Sequence, residues 1–179
     1  MNKEKAERLP IVGVIGPSKF TCSKEVYDFG IDLGMLIAKL NVHLVCGGME
    51  GIMESVCMGF ISIKKRKGLS MGITPYDKRG AANPYCEIVI PSGIGVSRNA
   101  IIVNTSDVLV AVAGGAGTLS EIAFAWQKNK HVICYDAYDG WAKTLGDTQL
   151  DSRRRKLLHK ASTLLEIKQL ILEFTGKIN

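Results

Sequence analysis

Short apolar runs alternate with longer stretches in which apolar residues recur every three or four positions, and this alternation persists through most of the chain. Ile11 to Gly16, His43 to Cys46, Leu69 to Thr74, Glu87 to Ile90, Asp107 to Val112 and His131 to Tyr135 read as strands. Their hydrophobicity is nearly continuous, as in parallel strands covered on both faces. Between the first two runs, Val26, Phe29, Leu33, Leu36 and Leu40 form one helical face. Gly30 and Gly34, one turn apart, let that helix lie close to a sheet. Further helices are predicted to start at Ile52 and at Thr118, the latter running to Lys128, with a loop and short helix over 93–104. Beyond residue 150 the chain reads as mostly helical, with Leu157, Leu158, Leu164, Leu165, Ile167, Leu170, Ile171 and Phe174 supplying apolar faces. The pattern predicts an α/β fold, a Rossmann-like doubly wound and mostly parallel sheet. A single domain spans 1–179, with an N-terminal arm at 1–9 and a C-terminal helical segment at 150–179.

Right-handed crossovers bring every strand-to-helix loop to one edge of such a sheet, so the loops at Gly16, Gly47 and Gly114 are expected to converge on one crevice. The loop Ala113 to Glu121, AGGAGTLSE, is the most informative. Gly114, Gly115 and Gly117 permit a tight turn and close approach of an anion to the backbone, and Thr118 adds a hydroxyl. The first amides of the helix that follows lack intrahelical acceptors and carry the positive end of its dipole. Glu121 is placed to stabilise that helix end from the surface, or to face the sugar or base of a ligand whose phosphate would repel it. Gly47, Gly48 and Gly51 form a second glycine-rich loop, which lines the crevice or simply makes a tight connection. Ser18 reaches a phosphate or caps the next helix, and Asn83 contacts a base or sets a turn beside Pro84. Met49 and Met53 read as core or crevice wall.

Composition narrows the function classes. In the 179 residues no apolar run reaches the roughly 18 needed to span a membrane, and the N-terminus has no secretory pattern. Five cysteines form no CxxC pair, and their odd number argues against a disulfide framework, so a cytoplasmic location is expected. The three histidines make no metal-ligand spacing with one another or with the cysteines, and no metal site is predicted. The formal charge of +6 includes clusters at Lys64 to Lys67 and Arg153 to Lys156. Without interleaved aromatics or a reader motif these are solvated faces, and nucleic-acid binding is disfavoured. The charge suits anionic small molecules.

The dinucleotide fingerprint GxGxxG is missing after the first strand, which argues against a dehydrogenase. The ensemble is specific instead: GPS after the first strand, CGGMEGIME after the second, GITP after the third, SRNAIIV before the motif strand and AGGAGTLSE after it. From about Ile11 to Tyr135 the chain resembles the LOG superfamily of phosphoribohydrolases, formerly labelled possible lysine decarboxylases. SRNAIIV and AANPY are similar to its bacterial branch related to molybdenum-cofactor carrier proteins. The resemblance implies a Rossmann-like homodimer or higher homo-oligomer that binds a nucleotide or nucleotide-like phosphate ligand. It implies that Gly114, Gly115, Gly117 and Thr118 hold the phosphate, that Glu121 faces the ribosyl group, and that Arg98 is the first of the family's basic pair at the active site. Ala113 stands where the family has Pro, and Asn99 where it has the second basic residue.

Residue chemistry then allows hydrolysis of the N-glycosidic bond of a nucleoside 5′-monophosphate. Glu121 would stabilise the ribosyl cation or orient water, and Arg98 would grip the phosphate or the base edge. A carrier without turnover for a phosphate-bearing pterin such as molybdenum cofactor uses the same loops, as does a nucleotide sensor coupled to oligomerisation. No cofactor is required for hydrolysis, and no lysine has a pyridoxal-phosphate context.

Overall fold

The computed structural model describes residues 8–153, 155 and 157–176. Most of the predicted N-terminal arm, and Arg154 and Lys156 of the second basic cluster, lie outside the described residues. Strands β1 (Ile11–Ile15), β2 (His43–Cys46), β3 (Ser70–Thr74), β4 (Ile88–Pro91), β5 (Val108–Val112), β6 (Val132–Tyr135) and β7 (Leu158–Ala161) form one sheet. Its order is β4-β3-β2-β1-β5-β6-β7, and every pairing is parallel. Helices α1 (Lys24–Lys39), α2 (Ile52–Ser62) and α6 (Leu164–Phe174) cover one face, and α3 (Asn99–Thr105), α4 (Ala116–Gln127) and α5 (Trp141–Leu145) the other.

The two faces follow from the strand period of two. In β5, Val108, Val110 and Val112 join Leu33, Ile37 and Val56 in one core, while Leu109 and Ala111 join Ile102, Ile122 and Trp126 in the other. All five β5 residues are buried, as their continuous apolarity predicts. β4 is the exception. As an edge strand it leaves Ile88 and Ile90 well exposed.

Two expectations need correction. Among the described residues after 150 the segment is not mostly helical: Leu158–Ala161 pair with β6 as the seventh strand, and Leu164–Phe174 form the one helix there. Thr163 and Glu166 form a reciprocal capping box that stops the strand from continuing and starts α6. Gly30 and Gly34 serve a second helix and not the sheet. A Cβ at Gly34 would lie 2.1 Å from the Val56 carbonyl oxygen, and one at Gly30 2.0 Å from Ser55 Oγ, so both let α1 press against α2.

Candidate functional site

From the central strand β1 the chain builds outward to β4 on one side, then returns to β5 and builds to β7 on the other. Loops after β1 and β5 therefore diverge, leaving a gap at the carboxyl ends of adjacent strands, where ligands bind in open α/β sheets. A crevice of about 340 Å3 lies there, lined by Gly16, Ser18 and Thr21 from the first loop, Arg98 and Asn99 before α3, and Gly115, Gly117, Thr118 and Glu121 of the motif. Gly47, Met53 and Val96 also contribute to its walls. That volume is at the low end of ligand sites, roughly 300–1,000 Å3, and suits one heterocycle with its phosphate better than a dinucleotide.

The motif turn is built for this position. Ala113 and Gly114 both take left-handed backbone, with φ of 47° and 93°. At Gly114 a Cβ would also lie 2.3 Å from Thr118 Oγ1, so no larger residue closes the turn in the same way. The value at Ala113 is closed to a proline ring, which fixes φ near −65°. Ala113 thus holds a backbone conformation that a proline at this position would not allow. The turn's carbonyls are turned away from the crevice: Trp141 and Ala142 of α5 donate their backbone N–H groups to Gly114 and Ala113. Gly115 is the N-cap of α4, and no side chain caps that helix. The Cβ positions of Gly115 and Gly117 face open space: apart from their chain neighbours and the helix's own backbone, no atom of the described residues lies within 4 Å.

Glu121 lies in the second turn of α4 and is 6% exposed, so the surface alternative for it does not hold. Burial pushes its carboxyl up to about 7, and the Arg98 guanidinium only partly offsets this. Arg98 Nη1 donates to Glu121 Oε1 at 3.4 Å, a long contact for an ion pair, which is why burial wins. Arg98 Nη1 also donates to Asn99 Oδ1, and its buried Nε has no partner among the described residues. Asn99 in turn donates to Ser120 Oγ at 3.0 Å, tying α3 to α4. Sequence reasoning marked Asn99 only as a departure from the pattern; it is buried beside Arg98 in the lining of the crevice.

The remaining candidates separate. Ser18 is exposed on the crevice wall and makes no cap, because Ser23 caps α1. Gly48, Gly51 and Gly114 lie outside the lining residues, as does Asn83. Asn83 is occupied structurally: its Nδ2 donates to the Met49 carbonyl and its Oδ1 accepts from the Tyr85 N–H. Gly47 gives Arg98 its room, since a Cβ there would lie 2.5 Å from Arg98 Nη2. No helix among the described residues is long and apolar enough to cross a membrane.

Comparison with known proteins agrees with this architecture. The structural-genomics target TM1055 superimposes with a TM-score of 0.84 at 30% identity, covering 92% of this chain and 99% of that one. The molybdenum cofactor binding protein of the phototrophic bacterium Rippkaea orientalis gives 0.81 at 32% identity, over 93% and 97% of the two chains. The molybdenum cofactor carrier protein of Chlamydomonas reinhardtii gives 0.80 at 28%, over 93% and 99%. Residues 9–166 match the SLOG cluster4 family, and this LOG-like chain belongs to it.

Proposed function

We propose that the chain is a binding protein for a phosphate-bearing pterin of the molybdenum-cofactor type, held without turnover. The observation that carries this is the uncapped start of α4, where Gly115 and Gly117 leave open space against free helix amides. An anion there gains N–H donors and the helix dipole without displacing any side chain. Arg98 supplies a largely buried positive group, and its Nε, unpartnered among the described residues, calls for an acceptor. Met53 and Val96 offer apolar wall to a heterocycle in the same crevice. The likeness to two molybdenum cofactor binding or carrier proteins supports the pterin as ligand. When bound, the cofactor would bring its own molybdenum redox chemistry; the residues here bind, orient and shield it.

The test is anaerobic titration of the purified protein with molybdenum cofactor, followed by calorimetry and by transfer to an apo-enzyme. Saturation near one equivalent with later release intact supports the proposal; no binding in reduced conditions removes it.

A second reading, hydrolysis of nucleoside 5′-monophosphates, is favoured by one observation: a carboxyl near 7 sits beside Arg98 in the crevice. Such a group is poised to take or give a proton at neutral pH. The C1′–N bond would break with its electron pair leaving on the base, and water would add at C1′. Incubation with AMP distinguishes the two. Free adenine that disappears in Glu121→Gln supports hydrolysis, and retained binding without adenine excludes it.

A further inference from the structure

Three cysteines far apart in sequence meet behind the second glycine loop. Cys46 ends β2, Cys57 lies in α2, and Cys86 precedes β4. Their Sγ atoms all lie within 4.8 Å of one another, with 3.6 Å from Cys46 to Cys57 and 3.8 Å from Cys57 to Cys86. All three are free thiols. Cys46 and Cys57 are fully buried, and Cys86 is half-buried. None of them lines the ligand crevice.

We propose that Cys46, Cys57 and Cys86 form a three-thiolate site for a thiophilic d10 metal ion, Zn(II) or Cu(I). Geometry is the first reason. At a metal–sulfur bond of about 2.3 Å, thiolates around one ion stand ~3.8 Å apart in a tetrahedral arrangement and ~4.0 Å in a trigonal one. Two of the three edges are close to that length, and the third is no longer than 4.8 Å. The donor set is the second reason. It is all sulfur, with no carboxylate or imidazole in the group, which selects soft ions over Mg(II), Ca(II) or Mn(II). A third reason is the surrounding hydrogen bonding: the Gly48 N–H donates to Cys46 Sγ at 3.4 Å, as an outer partner of a bound thiolate does. Cys86, on the solvent side, donates to Asn83 Oδ1 at 3.5 Å in the thiol form and provides the route of entry.

Binding replaces three S–H bonds by three S–metal bonds and releases three protons, with no change of oxidation state. With Zn(II) a fourth position stays open towards solvent; Cu(I) is satisfied by three thiolates. Buried cysteines packed as small hydrophobes are the competing account. They would show no stoichiometric uptake.

The experiment uses the full chain, reduced and thiol-counted under anaerobic conditions, and titrates it with Cd(II) as an ultraviolet-visible probe, then with Zn(II) and Cu(I) as competitors. The expected result is a thiolate-to-metal charge-transfer band that saturates at one ion per chain and is displaced by at least one competitor. X-ray absorption then distinguishes four-coordinate Zn(II) from trigonal Cu(I). Cys86→Ser should weaken binding at least a hundredfold, whereas Cys22→Ser and Cys134→Ser keep it. Because a core variant can misfold, alkylation of the wild-type chain gives an independent reading. Bound metal should protect Cys86, the half-buried member of the cluster, but not Cys22. Absence of the band in thiol-intact protein, or binding unchanged in Cys86→Ser, overturns the proposal.

Discussion

The two glycine loops look alike in sequence and do opposite things in space. At the start of α4, Gly115 and Gly117 face nothing within 4 Å, and the missing Cβ atoms make room for something outside the chain. In the loop after β2 the missing atoms make room for the chain itself. A Cβ at Gly51 would lie 2.6 Å from the Pro17 carbonyl, one at Gly48 3.0 Å from the Gly72 Cα, and one at Gly47 2.5 Å from Arg98. Glycine spacing thus identifies a close approach but not the approaching partner. The difference also separates the loops by their neighbours: one leaves open space at the crevice, and the other lets Arg98 and the first loop pack close against it.

That contrast can be broken by substitution. The largest effect is expected at Gly51, whose φ of 81° and backbone neighbours both oppose a side chain. Gly51→Ala should lose about 4 kcal/mol, combining left-handed strain with a clash that only backbone movement relieves. Chemical denaturation measures it, and a loss below about 1 kcal/mol would place this loop with the open one.

Glu121 comes next, between the two loops. Its folded value of about 7 lies above the ordinary 4.5, so the fold holds a proton that the unfolded chain has lost across that window. Stability from this group is therefore full below about pH 4.5 and declines as pH rises towards 7. Glu121→Gln, which mimics the protonated form, should exceed the wild type by about 3 kcal/mol at pH 8 and equal it at pH 4. A pH series of unfolding curves checks this, and a constant difference would remove burial as the cause. The smallest effect on stability belongs to Gly115→Val. Its backbone is extended, its Cβ meets open space, and a change within about 0.5 kcal/mol is expected.

Much of the fold was legible because buried parallel strands and amphipathic helices leave different periods. Strand β7 was not: in Leu158–Ala161 the more exposed His159 and Lys160 stand between the buried ends and break the apolar run that marks the equally short β2 and β6. The motif turn was legible as chemistry, because glycines ahead of a helix leave room for an anion at its amides, whereas Arg98 was marked by the family resemblance. The occupation of Asn83 was hidden, since its partners at Met49 and Tyr85 are fixed by loop packing. So was the thiol cluster. Its members sit on elements that only the order β4-β3-β2 brings side by side.

The central claim is that a phosphate docks at the open start of α4. Comparing the affinity of wild-type and Gly115→Val chains for molybdenum cofactor, by calorimetry at matched folding stability, tests it most directly. The account predicts a loss of about a hundredfold, near 2.7 kcal/mol, because the branched side chain fills the anion's place. Equal affinity in the two chains would contradict it.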